Sequence, residues 1–91
     1  MSKWLESGLR RDVCVVVCGE GDPTQQAVKR AIERKNDDRI RPKRFNGAVK
    51  KLESAGILER TPDGLHDRLS LTEAGETRLR EHREWEAEYL G

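Results

Sequence analysis

Apolar positions along this chain fall into helical groups separated by polar breaks. In residues 4–18, Leu5, Leu9, Val13, Val16 and Val17 recur at three- and four-residue intervals, which places them on one side of a helix. The run Val13, Cys14, Val15, Val16, Val17, Cys18 is rich in β-branched residues and also suits a buried strand. The polar lead-in of Glu6, Arg10, Arg11 and Asp12 favours the helix, which ends at the loop chemistry of residues 19–23. Thr24 stands where an N-cap belongs, and Gln25–Asn36 follows with Ala27, Val28, Ala31 and Ile32 on one stripe. Asn36, Asp37 and Asp38 close that helix. Pro42 opens a third, since a first-turn position has no use for the missing N–H. Phe45, Ala48, Val49, Leu52 and Ala55 form its inner face, and Gly56 stops it.

Two strand candidates follow, residues 57–61 and 67–71, on either side of the turn cluster Pro62, Asp63, Gly64, Leu65, His66. This arrangement predicts a hairpin. Thr72 caps a last helix that runs to about Leu90, with Glu73 and Glu76 near its positive end. The order helix, helix, helix, hairpin, helix predicts a mainly α domain with a small β-hairpin, a winged helix-turn-helix. On this reading, residues 1–71 are the winged unit and residues 72–91 a C-terminal dimerisation helix, all within one compact domain.

Charge then separates the chain into two halves. The 91 residues are 38% charged and 34% hydrophobic, with a formal net charge of only +1. Between Ala27 and Lys51, however, ten basic residues face three acidic ones, whereas six glutamates oppose three arginines after Leu71. The middle is suited to an anion and the tail is not. A core this modest also suggests stabilisation by a second copy of the chain. Residues 1–3 are followed by charge, so no signal peptide is expected, and no stretch nears the roughly 18 apolar residues of a membrane span. A soluble, intracellular protein is expected. Cys14 and Cys18 lie four apart on one helix, a poor geometry for a disulfide, and both read as small core hydrophobes.

The second and third helices form the helix-turn-helix. The outer face of the third carries Lys43, Arg44, Asn46, Gly47, Lys50 and Lys51, with Arg41 just before it. Lys43 and Arg44 stand at the end that meets base edges when such a helix enters a major groove. Arg44 suits guanine and Asn46 adenine; Lys50 and Lys51 suit phosphate; Gly47 permits close approach of helix to duplex. Arg60, His66 and Arg68 lie on the hairpin, within reach of backbone or minor groove. Along the last helix Leu79, His82, Trp85, Tyr89 and Leu90 make an apolar stripe, joined by Trp4, Leu5 and Leu9, that reads as a homodimer surface.

Residues 41–58, from Arg41 and Pro42 through Leu52-Glu53 to Gly56-Ile57-Leu58, resemble the recognition-helix stretch of PadR-like winged-helix regulators. Leu71-Thr72-Glu73-Ala74-Gly75 is similar to the leucine-threonine-x-x-glycine that starts the last helix in PadR-like and MarR-like proteins. The chain length and the Trp4-Leu5 start look like small archaeal members. The resemblance implies a dimeric, repressor-type regulator of prokaryotic cytoplasm, associated with the nucleoid, with the C-terminal helix in the dimer interface. It places Arg41, Lys43, Arg44 and Asn46 on the DNA-facing start of the helix.

Two other classes fare less well. An enzyme needs a Ser/His/Asp set, a Cys–His pair, a phosphate loop or a metal cluster, and none is legible; no cofactor is expected. A winged helix used for protein contact within a larger assembly is the closer rival, but it has no need of a basic third helix.

Overall fold

The computed structural model describes residues 8–90, the side chain of Leu90 excepted. Helix α1 (Gly8–Glu20) takes in the whole valine and cysteine run. Val13, Cys14 and Val17 are buried while Val15 and Cys18 are exposed, the periodicity of a helix and not of a strand. Cys18 was expected inside with Cys14. Four residues advance a helix by about 40° beyond one full turn, and that rotation carries Cys18 off the buried stripe. The helix also passes Gly19, the expected break, and reverses at Gly21, whose φ of 69° is left-handed. Glycine adopts that conformation without a Cβ penalty.

Helix α2 (Gln25–Asn36) begins as the sequence predicts: Thr24 Oγ1 accepts the Ala27 N–H at 3.1 Å. Val28 and Ile32 are buried and Ala31 half-buried, but Ala27, expected on the same stripe, is exposed in the first turn. Asp37 ends the helix in a left-handed conformation (φ 50°), its N–H donating to the Arg34 carbonyl. Glu33 then reaches past the helix end, and its Oε2 accepts the Ile40 N–H at 2.8 Å. This contact secures the connection to α3 (Pro42–Ser54). Phe45, Ala48, Val49 and Leu52 form the buried face of α3. Ala55, expected to extend that face, is the exposed C-cap; the chain has already left the helix and turns at Gly56 (φ 76°).

Strands β1 (Leu58–Asp63) and β2 (His66–Leu71) pair antiparallel from Leu58 opposite Leu71 to Asp63 opposite His66. The five-residue turn cluster thereby shrinks to Gly64 and Leu65. Gly64, at φ 65°, takes the positive φ that tight hairpin turns demand. Pro62 is tolerated in β1 because that strand lies at an edge. The other edge of β2 is covered. Leu69 donates its N–H to the Pro23 carbonyl at 2.8 Å, and Thr24 pairs with Arg68. The loop before α2 thus serves as a third rung of the sheet, a role its composition does not announce.

Thr72 joins α4 (Glu73–Leu90) to this frame. Its Oγ1 accepts the Gly75 N–H at 3.0 Å, while its hydroxyl and N–H donate to the Gly56 and Ile57 carbonyls. Gly75 is buried so tightly that a Cβ there would lie 2.3 Å from the Ile57 carbonyl oxygen. The threonine and glycine of residues 72–75 therefore dock α4 against the loop leaving α3. The core gathers Val13, Cys14 and Val17 of α1, Val28 and Ile32 of α2, and Phe45, Val49 and Leu52 of α3. Ile57, Leu58, Leu69 and Leu79 close it from the hairpin side and from α4. No described helix is long and apolar enough to cross a membrane.

Candidate nucleic-acid interface

The apolar stripe of α3 fixes what its other side presents. With Phe45, Ala48, Val49 and Leu52 inward, residues Lys43, Arg44, Asn46, Gly47, Lys50 and Lys51 are all exposed, and Arg41 is exposed at the N-cap. None of the five cations Arg41, Lys43, Arg44, Lys50 and Lys51 pairs with another described residue. The one acid of α3, Glu53, is held by Arg60 at 3.1 Å. Lys29 and Lys35 of α2, by contrast, are paired, with Glu33 and Asp12. The outer face of α3 thus gathers unpaired cations with its one carboxylate already engaged, and such a face draws polyanions toward it.

Two residues refine that face. Asn46 Oδ1 accepts from Gln25 Nε2 at 2.9 Å, leaving the Asn46 amide nitrogen free to donate outward. Gln25 is a participant the sequence reading passed over; its position in the first turn of α2 was the available signal. A Cβ on Gly47 would meet nothing within 4 Å. The fold does not need glycine there, so the missing side chain belongs to the surface.

The hairpin cations behave differently. Arg60 bridges Glu53 of α3 and Asp67 of β2, at 3.1 and 3.6 Å. Arg68 pairs with Asp63 across the hairpin and donates to the Asp22 carbonyl at 3.0 Å. Both were expected to touch minor groove or backbone; in the structure they also anchor the hairpin to α3 and to the loop before α2. His66 is exposed where the expectation placed it, next to the turn. Leu65, which was not singled out, projects from the tip almost fully exposed, at 97%.

No protein-family model matches the chain, and no curated protein sequence matches it. Solved structures do. H. salinarum RosR superposes with a TM-score of 0.84 at 20% identity, covering 93% of this chain and 78% of that one. A protein from Archaeoglobus fulgidus gives 0.70 at 16% identity, over 94% and 90% of the two chains. A transcriptional regulator from Clostridium thermocellum gives 0.69 at 19% identity, over 98% and 91%. The fold is a winged helix. Within it, α2 and α3 form the helix-turn-helix, and the hairpin is the wing.

The apolar stripe of α4 divides on inspection. Leu79 is 3% exposed and belongs to the core, and His82 is 6% exposed; both were expected on a partner-facing surface. They face α1 instead, because the Thr72–Gly75 docking turns this side of α4 inward. Beyond them the helix emerges. Trp85 and Tyr89 are exposed with ring centroids 5.0 Å apart, and His82 stacks on Trp85 while its Nε2 meets Glu86 Oε1 at 2.6 Å. Together with the exposed Val15 of α1 they line a groove of about 460 Å³ flanked by Arg11, Asp12, Lys35 and Arg83. Val15 went unnoticed in the sequence because it sits in an apolar run. Leu9, expected with Trp85, packs against the core on another side of α1, next to α3. Trp4, Leu5 and the side chain of Leu90 lie outside the described residues.

The described residues contain no group of three or more His, Cys, Asp or Glu placed to hold a metal ion. Burial, and secondarily the charge of Cys18, pushes the Cys14 thiol up to about 12.

Proposed function

We propose that the chain is a transcriptional regulator of repressor type that binds duplex DNA sequence-specifically as a homodimer. Residues 1–71 form the DNA-binding unit, and residues 72–91 supply the dimer helix. The observation that carries the reading is the set of five unpaired cations around Gly47 on the recognition helix. That helix, set out from the core by its apolar stripe, matches the width of a major groove. Arg44 and Asn46 read base edges near its start, and Arg41, Lys43, Lys50 and Lys51 meet backbone. The wing, braced by Arg60 and Arg68, presents Leu65 and His66 to the neighbouring groove or backbone. Support also comes from the Clostridium thermocellum likeness, which is to a transcriptional regulator, and from the PadR-like residues of the helix. A nucleoid-associated, cytoplasmic protein follows from the same reading.

The test is a fluorescence-anisotropy titration of labelled random duplex at rising salt. Binding that weakens steeply with salt is the expected result, with log K falling by about 0.9 per log unit of salt for each phosphate engaged. Lys50→Ala with Lys51→Ala should weaken all duplexes alike and flatten that slope, whereas Arg44→Ala should relax preference at one base position. Absence of binding at micromolar protein would transfer the fold to the rival role, protein contact within an assembly.

A further inference from the structure

Beside the recognition helix lies a cavity of about 250 Å³, between the start of α1 and the outer face of α3. Its apolar lining is Leu9, Gly47 and Ala48, and every charged residue on it is a cation: Arg10, Lys43, Arg44 and Lys51. Arg10 stands out among them. It precedes Val13, Cys14 and Val17 by three, four and seven residues, so α1 directs it along its own buried stripe toward α3. Its side chain is half-buried, and its Nε is buried without a hydrogen-bond partner among the described residues. A buried N–H donor left without an acceptor is unfavourable, and a leucine would serve the packing without that cost. Four cations converging without a carboxylate repel one another until an anion arrives.

We propose that this cavity seats one backbone phosphate of duplex DNA, with Arg10 as a contact supplied from outside the helix-turn-helix. The inference rests on the DNA reading above and adds to it a ligand-binding residue on α1. Gly47 leaves the entrance open, since no side chain stands between the cavity and the groove-facing surface. A duplex phosphate is favoured over a free anion because Lys43, Arg44 and Lys51 belong to the same helix face that engages the duplex, which holds the phosphate in register. Arg10 thereby fixes how deeply the recognition helix enters the groove without reading sequence.

The experiment titrates labelled duplexes of several sequences against wild type, Arg10→Gln and Arg10→Lys across a salt series, with thermal melts of each protein. Arg10→Gln should lose affinity several-fold for every sequence, and its salt slope should fall by about 0.9 per protomer; Arg10→Lys should keep most of the slope. In parallel, phenylglyoxal labelling of the wild-type chain, mapped by mass spectrometry, should show Arg10 protected by duplex but not by inorganic phosphate at equal phosphate concentration. An Arg10→Gln protein that melts as wild type and keeps the full slope overturns the site alone. So does Arg10 labelling that duplex leaves unchanged, or that inorganic phosphate blocks equally well. A wild-type chain that binds no duplex overturns the DNA reading itself.

Discussion

The Glu33 carboxylate accepts the backbone N–H of Ile40 at 2.8 Å, across the turn that joins the two helices of the helix-turn-helix. Seven residues separate the partners, and the helix has ended between them. The contact gives a partly buried donor its partner and fixes the angle at which α3 leaves the turn. Glu33→Ala leaves that N–H unsatisfied, which costs about 1–2 kcal/mol. For a chain of this size the melting temperature should drop by roughly 4–15 °C. Glu33→Gln, whose amide oxygen can still accept, should recover much of the loss. Equal melting of the alanine and glutamine variants, read by circular dichroism, would show that the bond does not brace the turn.

Gly47 separates stability from binding. Its Cβ position is open space, and alanine in a helix interior is favoured over glycine by about 0.8–1 kcal/mol. Gly47→Ala should therefore melt several degrees higher than wild type. On duplex DNA it should bind more weakly, because the added methyl stands on the surface of closest approach. A variant that is both more stable and equally tight for DNA would remove Gly47 from the interface.

The sequence is a better guide to what faces inward than to what holds the parts together. Helices α2 and α3 are legible because Val28, Ile32, Phe45, Val49 and Leu52 keep a single period between an N-cap threonine or first-turn proline and a left-handed stop. The errors arise where an element's end or orientation depends on distant partners. Ala55 continues the period of α3, yet the chain has left the helix there. Leu79 and His82 read as continuous with Trp85, but the close approach of Gly75 to Ile57 turns them inward and divides the stripe. On the candidate site, the open cations of α3 follow from spacing within one helix. The pairing of Arg60 with Glu53 and of Arg68 with Asp22 joins different elements, and no local pattern encodes it. Gln25 is missed for the same reason, since it reaches Asn46 of α3 from another helix.

Cys14 and Cys18 should differ sharply in chemistry. The reactive species is the thiolate, and burial of Cys14 disfavours it, with the thiol pushed from 9.0 to about 12. At pH 8 iodoacetamide should modify the exposed Cys18 quickly, while a Cys18→Ser chain stays nearly inert until urea is added. The pH dependence has a definite sign. A raised folded pKa means the native state holds its proton more tightly than the unfolded one. The associated stability is whole below pH 9 and is lost as pH climbs from 9 toward 12. Cys14→Val should flatten the fall of denaturation midpoint over that window relative to wild type. Matching slopes for the two proteins would mean the thiol does not contribute.

Trp85 tests the dimer helix. It is 39% exposed, lies against Tyr89 with the two rings tilted and their centroids 5.0 Å apart, and shares its groove with Val15 from α1. Apolar surface left open in this way gains about 25 cal/mol for each Å² removed from water, and a second copy of α4 laid across the groove would remove it. Trp85→Glu places a negative charge beside Glu86 on that surface while leaving Leu79 and the core in place. Wild type should sediment at twice the chain mass and Trp85→Glu at the mass of one chain, with the variant's secondary structure retained at low temperature. Its DNA affinity should fall as well, because two linked recognition helices become one. A variant that sediments at the wild-type mass would mean that any dimer contact lies away from this groove. The exposed aromatics of α4 would then need another occupant.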